Sequence, residues 1–301
     1  MGKISKALER AEAERLKRLE DQRHELSASG LASTRESHGP STATAVAVLD
    51  EPGNGHEPSA SGLASTRESH APLDVAPEAA VDERIVTLFD PRSPVAEQYR
   101  ILRTNLLGLK TGKPIKVIML SSSMHAEGKS VSAVNLAVTL ANDVNQRKVL
   151  LIDADLRAGT THQLLGIRPK LGLSDVLAKE VPWHDALVGT PLPNLMVLPR
   201  GVNPPHPAEL LGSNRMRQLV AEVRSAFDYV IIDSPPIVPL ADPGVIGTLT
   251  DGAVLVVRGG KTQRALVQYA ASLLTQANVP LLGCILTHAE GHIPEYISRY
   301  F

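Results

Sequence analysis

An apolar run at 116–120 ends in Ser121-Ser122-Ser123. After Met124-His125-Ala126-Glu127, a Gly128-Lys129-Ser130 triplet opens a helical segment at 131–141. A strand that breaks into small residues and re-enters as a helix leaves the first N–H groups of that helix unpaired beside the strand's carboxyl end. This is the context of a phosphate-binding P-loop. Read so, Ala126, Glu127, Gly128, Lys129, Ser130 and Val131 cradle nucleotide phosphates. Lys129 then reaches the β- and γ-phosphates and the Ser130 hydroxyl helps to hold Mg²⁺. The strict pattern has Gly where Ser123 stands, so the triplet alone leaves open a plain helix start.

Further apolar runs at 149–152, 195–198, 229–232, 253–257 and 281–286 read as buried strands, with helices at 207–225 and 262–277. Short apolar strands alternating with helices predict an α/β fold: a mainly parallel, P-loop NTPase-like sheet covered on both faces. Right-handed crossovers put the loops after the strands along one carboxyl edge, where such sheets bind ligands. Two strands end there in acids, Asp153-Ala154-Asp155-Leu156-Arg157 and Asp233-Ser234-Pro235-Pro236. One such Asp is often only a helix cap. Three converging on Lys129 and Ser130 suit a metal–phosphate site, because Mg²⁺ takes few protein carboxylates and completes its shell with phosphate and water.

Composition narrows the classes. Hydrophobic residues make up 43% of the 301 but aromatics only 3%, so the core must be Ala, Val, Leu and Ile. A net charge of −1 argues against a nucleic-acid-coating surface. The single cysteine, Cys284, fits a reducing compartment. No apolar run approaches about 18 residues, and the first residues alternate in charge, so a cytoplasmic protein without a signal segment is expected.

The N-terminal part reads differently. Residues 3–26 carry seven Lys or Arg and six Asp or Glu, with Ile4, Leu8, Ala11 and Leu19 at helical steps, which predicts an amphipathic helix over 1–26. Residues 27–84 are rich in Ser, Ala, Gly, Pro and Glu and read as a disordered linker. Within it the dodecamer SASGLASTRESH occurs at 27–38 and again at 59–70. Two copies without a core pattern suit a duplication in a tolerant linker or a repeated binding motif, not a solenoid. A folded P-loop domain is expected over 85–290 and a tyrosine-bearing tail over 291–301.

The loop ending Gly128-Lys129-Ser130, the Asp153-x-Asp155-x-Arg157 strand end and Ile231-Ile232-Asp233-Ser234-Pro235-Pro236 resemble the Walker A, A′ and B motifs of the bacterial tyrosine kinases, autokinases of exopolysaccharide and capsule assembly. The likeness runs from about Ser93 onward and includes Gly172-Leu173-Ser174-Asp175-Val176-Leu177, Pro204-Pro205-His206-Pro207-Ala208-Glu209-Leu210-Leu211 and Val256-Val257-Arg258-Gly259-Gly260-Lys261-Thr262. Residues 3–11 more weakly resemble the subgroup associated with exosortase systems. Met124 stands where the related division-site and partition ATPases carry a signature lysine. Two positions depart from the family. Ala126 replaces a glycine, which strains the loop by about 1 kcal/mol if that position needs φ > 0. Ala158-Gly159 replaces Arg-Pro.

The resemblance implies ATP and Mg²⁺ as cofactors, with Lys129 neutralising developing charge, Asp233 orienting the metal, and Asp153 and Asp155 beside the γ-phosphate. Asp153 is favoured as base and Asp155 as metal ligand, although either acid can serve the coordination shell. Glu97, Arg100 and Arg103 match the family's oligomerisation motif, implying a homo-oligomeric ring; ordinary intrahelical pairing accounts for the same spacing. Tyr296 and Tyr300 correspond to the autophosphorylation cluster, or are incidental aromatics of a short tail. Implied partners are a transmembrane polysaccharide chain-length regulator, which recruits the protein to the inner face of the membrane, and a protein-tyrosine phosphatase. The competing reading is a nucleotide-gated assembly or scaffold ATPase that transfers no phosphoryl group to protein.

Overall fold

The computed structural model describes residues 43–48, 81–109, 112–179 and 181–289. Its strands are β1 (Ala43–Val48), β2 (Val117–Ser122), β3 (Val149–Asp153), β4 (Val188–Gly189), β5 (Leu195–Leu198), β6 (Tyr229–Asp233), β7 (Gly252–Arg258) and β8 (Leu281–Ala289). They form one sheet in the order β1-β8-β7-β2-β6-β3-β5-β4. From β8 across to β5 every pairing is parallel, and β1 and β4 add antiparallel at the two edges.

Alternation along the buried strands divides the core in two. Val117 and Met119, Leu150 and Ile152, and Val230 and Ile232 face one layer. Their neighbours Ile118 and Leu120, Val149 and Leu151, and Tyr229 and Ile231 face the other. The second layer is closed by α1 (Val86–Phe89), α2 (Pro94–Gly108), α3 (Lys129–Ala141) and α4 (Thr161–Leu164). On the first face lie α5 (Leu173–Ala178), α6 (Pro207–Leu211), α7 (Asn214–Ala226), α8 (Asp242–Gly247) and α9 (Arg264–Gln276). With both faces covered, the strands have no polar side to show, which is why they read as unbroken apolar runs. Helix α2 starts where its sequence says: Ser93 Oγ accepts from Ala96 N at 3.1 Å, Pro94 opens the first turn and Glu97 sits within it.

Two expectations for the N-terminal part need correction. Inside the expected linker, Ala43–Val48 pairs antiparallel with β8 from Ala43↔Ala289 to Val48↔Gly283. An outer strand needs only a partner for its free N–H and C=O groups, so a short Ala/Thr/Val run suffices without a core pattern. The folded unit also begins before residue 85. Asp82 N donates to Leu164 O at 2.9 Å, and Asn135 Nδ2 donates to Arg84 O at 3.0 Å. The helix expected over 1–26, both dodecamers and the segment 290–301 lie outside the described residues.

Candidate functional site

The site is built at the carboxyl ends of the three central strands. Register places Asp233 beside Leu120 on one side and beside Asp153 on the other. Between β2 and α3 the loop turns through two left-handed residues, Ala126 at φ 62° and Gly128 at φ 89°. Position 126 therefore does demand the conformation that suits glycine, and Ala126 carries the strain expected for a Cβ there. Gly128 is needed twice over, since a Cβ on it would also lie 3.1 Å from Thr287 Cγ2.

Lys129, first residue of α3, extends into the acids. Its Nζ donates to Asp233 Oδ1 at 2.7 Å, lies 3.6 Å from Asp155 Oδ2 and is 3.4 Å from Ser130 Oγ. Burial disfavours the ammonium, but the charges of Asp233 and Asp155 outweigh it and hold Lys129 above its ordinary range. Asp233 is fully buried, and burial raises its carboxyl despite Lys129. Its second oxygen, Oδ2, has no hydrogen-bond partner. An acceptor left so beside Ser130 fits a cation, which Ser130, Asp155 and Asp233 could hold together with phosphate oxygens. Among the described residues no group of three His, Cys, Asp or Glu is arranged to hold a metal by itself.

The two acids after β3 are fixed by the turn that follows them. Asp153 Oδ2 accepts from Thr161 N at 3.1 Å and from Thr161 Oγ1 at 2.8 Å, while its Oδ1 accepts from Asp155 N at 3.3 Å. Asp155 Oδ1 accepts from Ala158 N at 3.0 Å, and Gly159 N donates to Asp155 O at 2.7 Å. The turn lies so close that a Cβ on Gly159 would stand 2.1 Å from Asp153 Oδ1. Burial, reinforced by the Asp233 charge, pushes the Asp153 carboxyl up to about 7 against the Thr161 hydrogen bonds.

The phosphate loop is clamped from the far strands. Glu127 Oε2 accepts from Met124 N at 3.0 Å, and its Oε1 accepts from Thr262 Oγ1. Thr287 Oγ1 donates to Glu127 O at 2.7 Å, and Arg258 Nη1 to Ala126 O at 3.4 Å. The Glu127 side chain thus braces the loop, and Val131 packs into the α2–α3 layer. Thr161 and Thr287 carried no sequence signal, and Gly159 stood out only as a departure from the family's Arg-Pro. Arg258 and Thr262 stood in a segment already singled out, where only the resemblance marked them.

The remaining expected residues lie away from this cluster. Glu97 pairs with Arg100 within α2, and Arg100 also donates to Pro91 O. Arg103 Nη1 donates to Thr139 O at 3.1 Å and lies 3.8 Å from Asp143 Oδ1. Tyr296 and Tyr300 lie outside the described residues. No helix among the described residues is long and apolar enough to cross a membrane.

The AAA domain family matches residues 115–256. Over 206 residues the chain is 39% identical to the tyrosine-protein kinase YwqD of Bacillus subtilis, spanning 68% of this chain and 86% of that protein. It is 34% identical to the tyrosine-protein kinase CpsD of Streptococcus agalactiae, over 66% of this chain and 86% of the other. Among solved structures, the kinase domain of Escherichia coli tyrosine kinase ETK superposes with a TM-score of 0.64 at 31% identity, covering 69% of this chain and 81% of that one.

Proposed function

The chain belongs to the bacterial tyrosine-protein kinase family, and on that premise we propose that it is an ATP-dependent autokinase that phosphorylates Tyr296 and Tyr300 of its own C-terminal segment. The observation that carries the proposal is the Lys129–Asp233–Asp155–Asp153 cluster at the start of α3. Phosphoryl transfer asks a protein for positioning and charge neutralisation more than for covalent chemistry. Lys129 leaves the acids to meet the β- and γ-phosphates, and the N–H groups at the start of α3 receive the remaining phosphate oxygens. Ser130, Asp155 and Asp233 would hold Mg²⁺, which would supply charge neutralisation for the transferring phosphoryl group.

Asp153 is the base of this reading. A carboxyl raised to about 7 takes a proton near neutral pH more readily than an ordinary aspartate. The tyrosine oxygen bonds to the γ-phosphorus, the bond from that phosphorus to the β–γ bridging oxygen breaks, the phenolic proton passes to Asp153, and ADP leaves. Glu97, Arg100 and Arg103 would exchange their contacts within the chain for contacts between subunits of a ring, in which each tail reaches a neighbour's site. A transmembrane chain-length regulator would recruit and activate the ring at the inner face of the membrane, a phosphatase would reset it, and the output would be control of exopolysaccharide or capsule polymerisation and export.

Incubation with ATP and Mg²⁺ is expected to yield phosphotyrosine in the wild type and none in Lys129→Met. A wild type that binds and hydrolyses ATP yet stays unmodified, even with its membrane activator present, would favour the scaffold ATPase instead.

A further inference from the structure

One part of the carboxyl edge holds polar groups that this mechanism does not use. Beyond β5 the chain turns through Pro199-Arg200-Gly201 against the start of α5, with Leu173 N donating to Pro199 O at 2.7 Å and Ser174 N to Arg200 O at 3.0 Å. Gly201 takes φ 79°, and a Cβ on it would stand 2.4 Å from Ser174 Oγ, so glycine is what lets the two segments close. Arg200 Nη1 donates at 3.4 Å to the carbonyl of Leu156, the residue after Asp155. His162 follows Thr161, the residue that holds Asp153; burial and then the nearby Arg200 charge keep its imidazole below the ordinary range.

Three buried atoms of this cluster have no hydrogen-bond partner: Arg200 Nε, His162 Nδ1 and Ser174 Oγ. Ser174 is only 4% exposed. Buried polar atoms are nearly always paired, so three orphans on neighbouring segments point to a group that completes them. The charge of that group is set by Arg200. Arg157, the other arginine here, is taken by Asp242 at 3.0 Å, whereas among the described residues Arg200 has no carboxylate partner.

We propose that Arg200, Ser174 and His162 form a subsite for the carboxylate of an acidic residue next to the acceptor tyrosine. The occupant is Glu295, which immediately precedes Tyr296 in the C-terminal segment of a second copy of the chain. Without a counter-charge, such an acceptor would be repelled by Asp153, Asp155 and Asp233. Arg200 is tied to the carbonyl of Leu156, the residue after Asp155, so its guanidinium lies next to the acids that would receive the tyrosine. The tyrosine can then enter the reaction centre while the glutamate turns to Arg200. The carboxylate would accept from the guanidinium, from Ser174 Oγ and from His162 in its Nδ1–H form.

This inference rests on the autokinase reading, and a binding measurement separates the two. A fluorescent peptide of residues 290–301 is titrated with the full chain, as wild type and as Arg200→Gln. Affinity is expected to fall about tenfold for Arg200→Gln, and equally when the peptide instead carries Glu295→Gln, the typical effect of one charged hydrogen-bonded pair. Combining both changes should weaken binding no further. Because the peptide variant leaves the protein untouched, a folding defect in Arg200→Gln cannot imitate the result. Equal affinities, additive losses or no binding by the wild type would overturn the subsite. Coupled losses without phosphotyrosine on incubation with ATP would leave the subsite standing and sink the kinase reading; phosphotyrosine with additive losses would do the reverse.

Discussion

Replacing Gly159 by Ala tests the claim that the turn after β3 is built around Asp153. The new Cβ would stand 2.1 Å from Asp153 Oδ1 and 2.5 Å from its Cγ. Relief requires a movement of about 1 Å by one of two restrained groups, since carbon–oxygen contacts settle well above 3 Å. The carboxylate is held by both Thr161 donors, and the turn by Ala158 N and Gly159 N on Asp155. Each hydrogen bond to a charged group contributes about 1.5–3 kcal/mol, so losing or lengthening two of them costs about 3 kcal/mol of unfolding free energy. A shift of about 1 Å at a reacting group lowers the rate about a hundredfold. Urea unfolding and the initial rate of phosphotyrosine formation, with ATP affinity measured alongside, read the two effects separately. Gly189→Ala is the control, because nothing lies within 4 Å of a Cβ there. A Gly159→Ala protein within twofold of wild-type rate and with unchanged stability would refute the assigned turn.

Three further outcomes follow from the same structure. Ala126→Gly relieves the φ 62° strain that the folded chain already carries, and unfolding free energy in urea is expected to rise, by up to about 1 kcal/mol. Asp153, raised to about 7 by folding, binds its proton more tightly in the folded state than in the unfolded one. Its contribution to stability is therefore present at low pH and is lost as pH rises from about 4 to about 7. Urea midpoints across that window should decline, and Asp153→Asn should flatten the decline. Deleting residues 1–81 removes β1 but keeps the Asp82 N to Leu164 O contact. That truncation should retain ATP binding, whereas cutting at residue 84 should lower stability by a further 1 kcal/mol or about that, seen as a lower melting temperature.

The parts of this chain that could be read in advance are those whose signal is local. Parallel strands buried on both faces, such as 117–120 and 230–232, have to be apolar throughout, and the acids Asp153, Asp155 and Asp233 mark the carboxyl ends of two of the central strands. What holds the acids in place is long-range. Thr287 reaches Glu127 across 160 positions and Thr262 reaches it across 135, separations that leave no pattern in one sequence. Glu127 read only as part of a phosphate cradle; its side chain also braces the loop, because Thr262 meets it from beyond β7 and Met124 N from within the loop. Strand β1 was hidden for another reason: an edge strand is held by main-chain pairing, so Ala-Thr-Ala-Val-Ala-Val needed neither bulk nor length to take its place. The strain at Ala126 was legible as a condition, and φ 62° fulfilled it.

The central claim is tested most directly by mass spectrometry of the C-terminal peptide after incubation of the full chain with ATP and Mg²⁺, with and without a candidate transmembrane activator. Phosphate on Tyr296 or Tyr300, abolished by Lys129→Met and reduced at least tenfold by Asp153→Asn, is the predicted result. An unmodified peptide from a protein that demonstrably binds ATP would contradict the account.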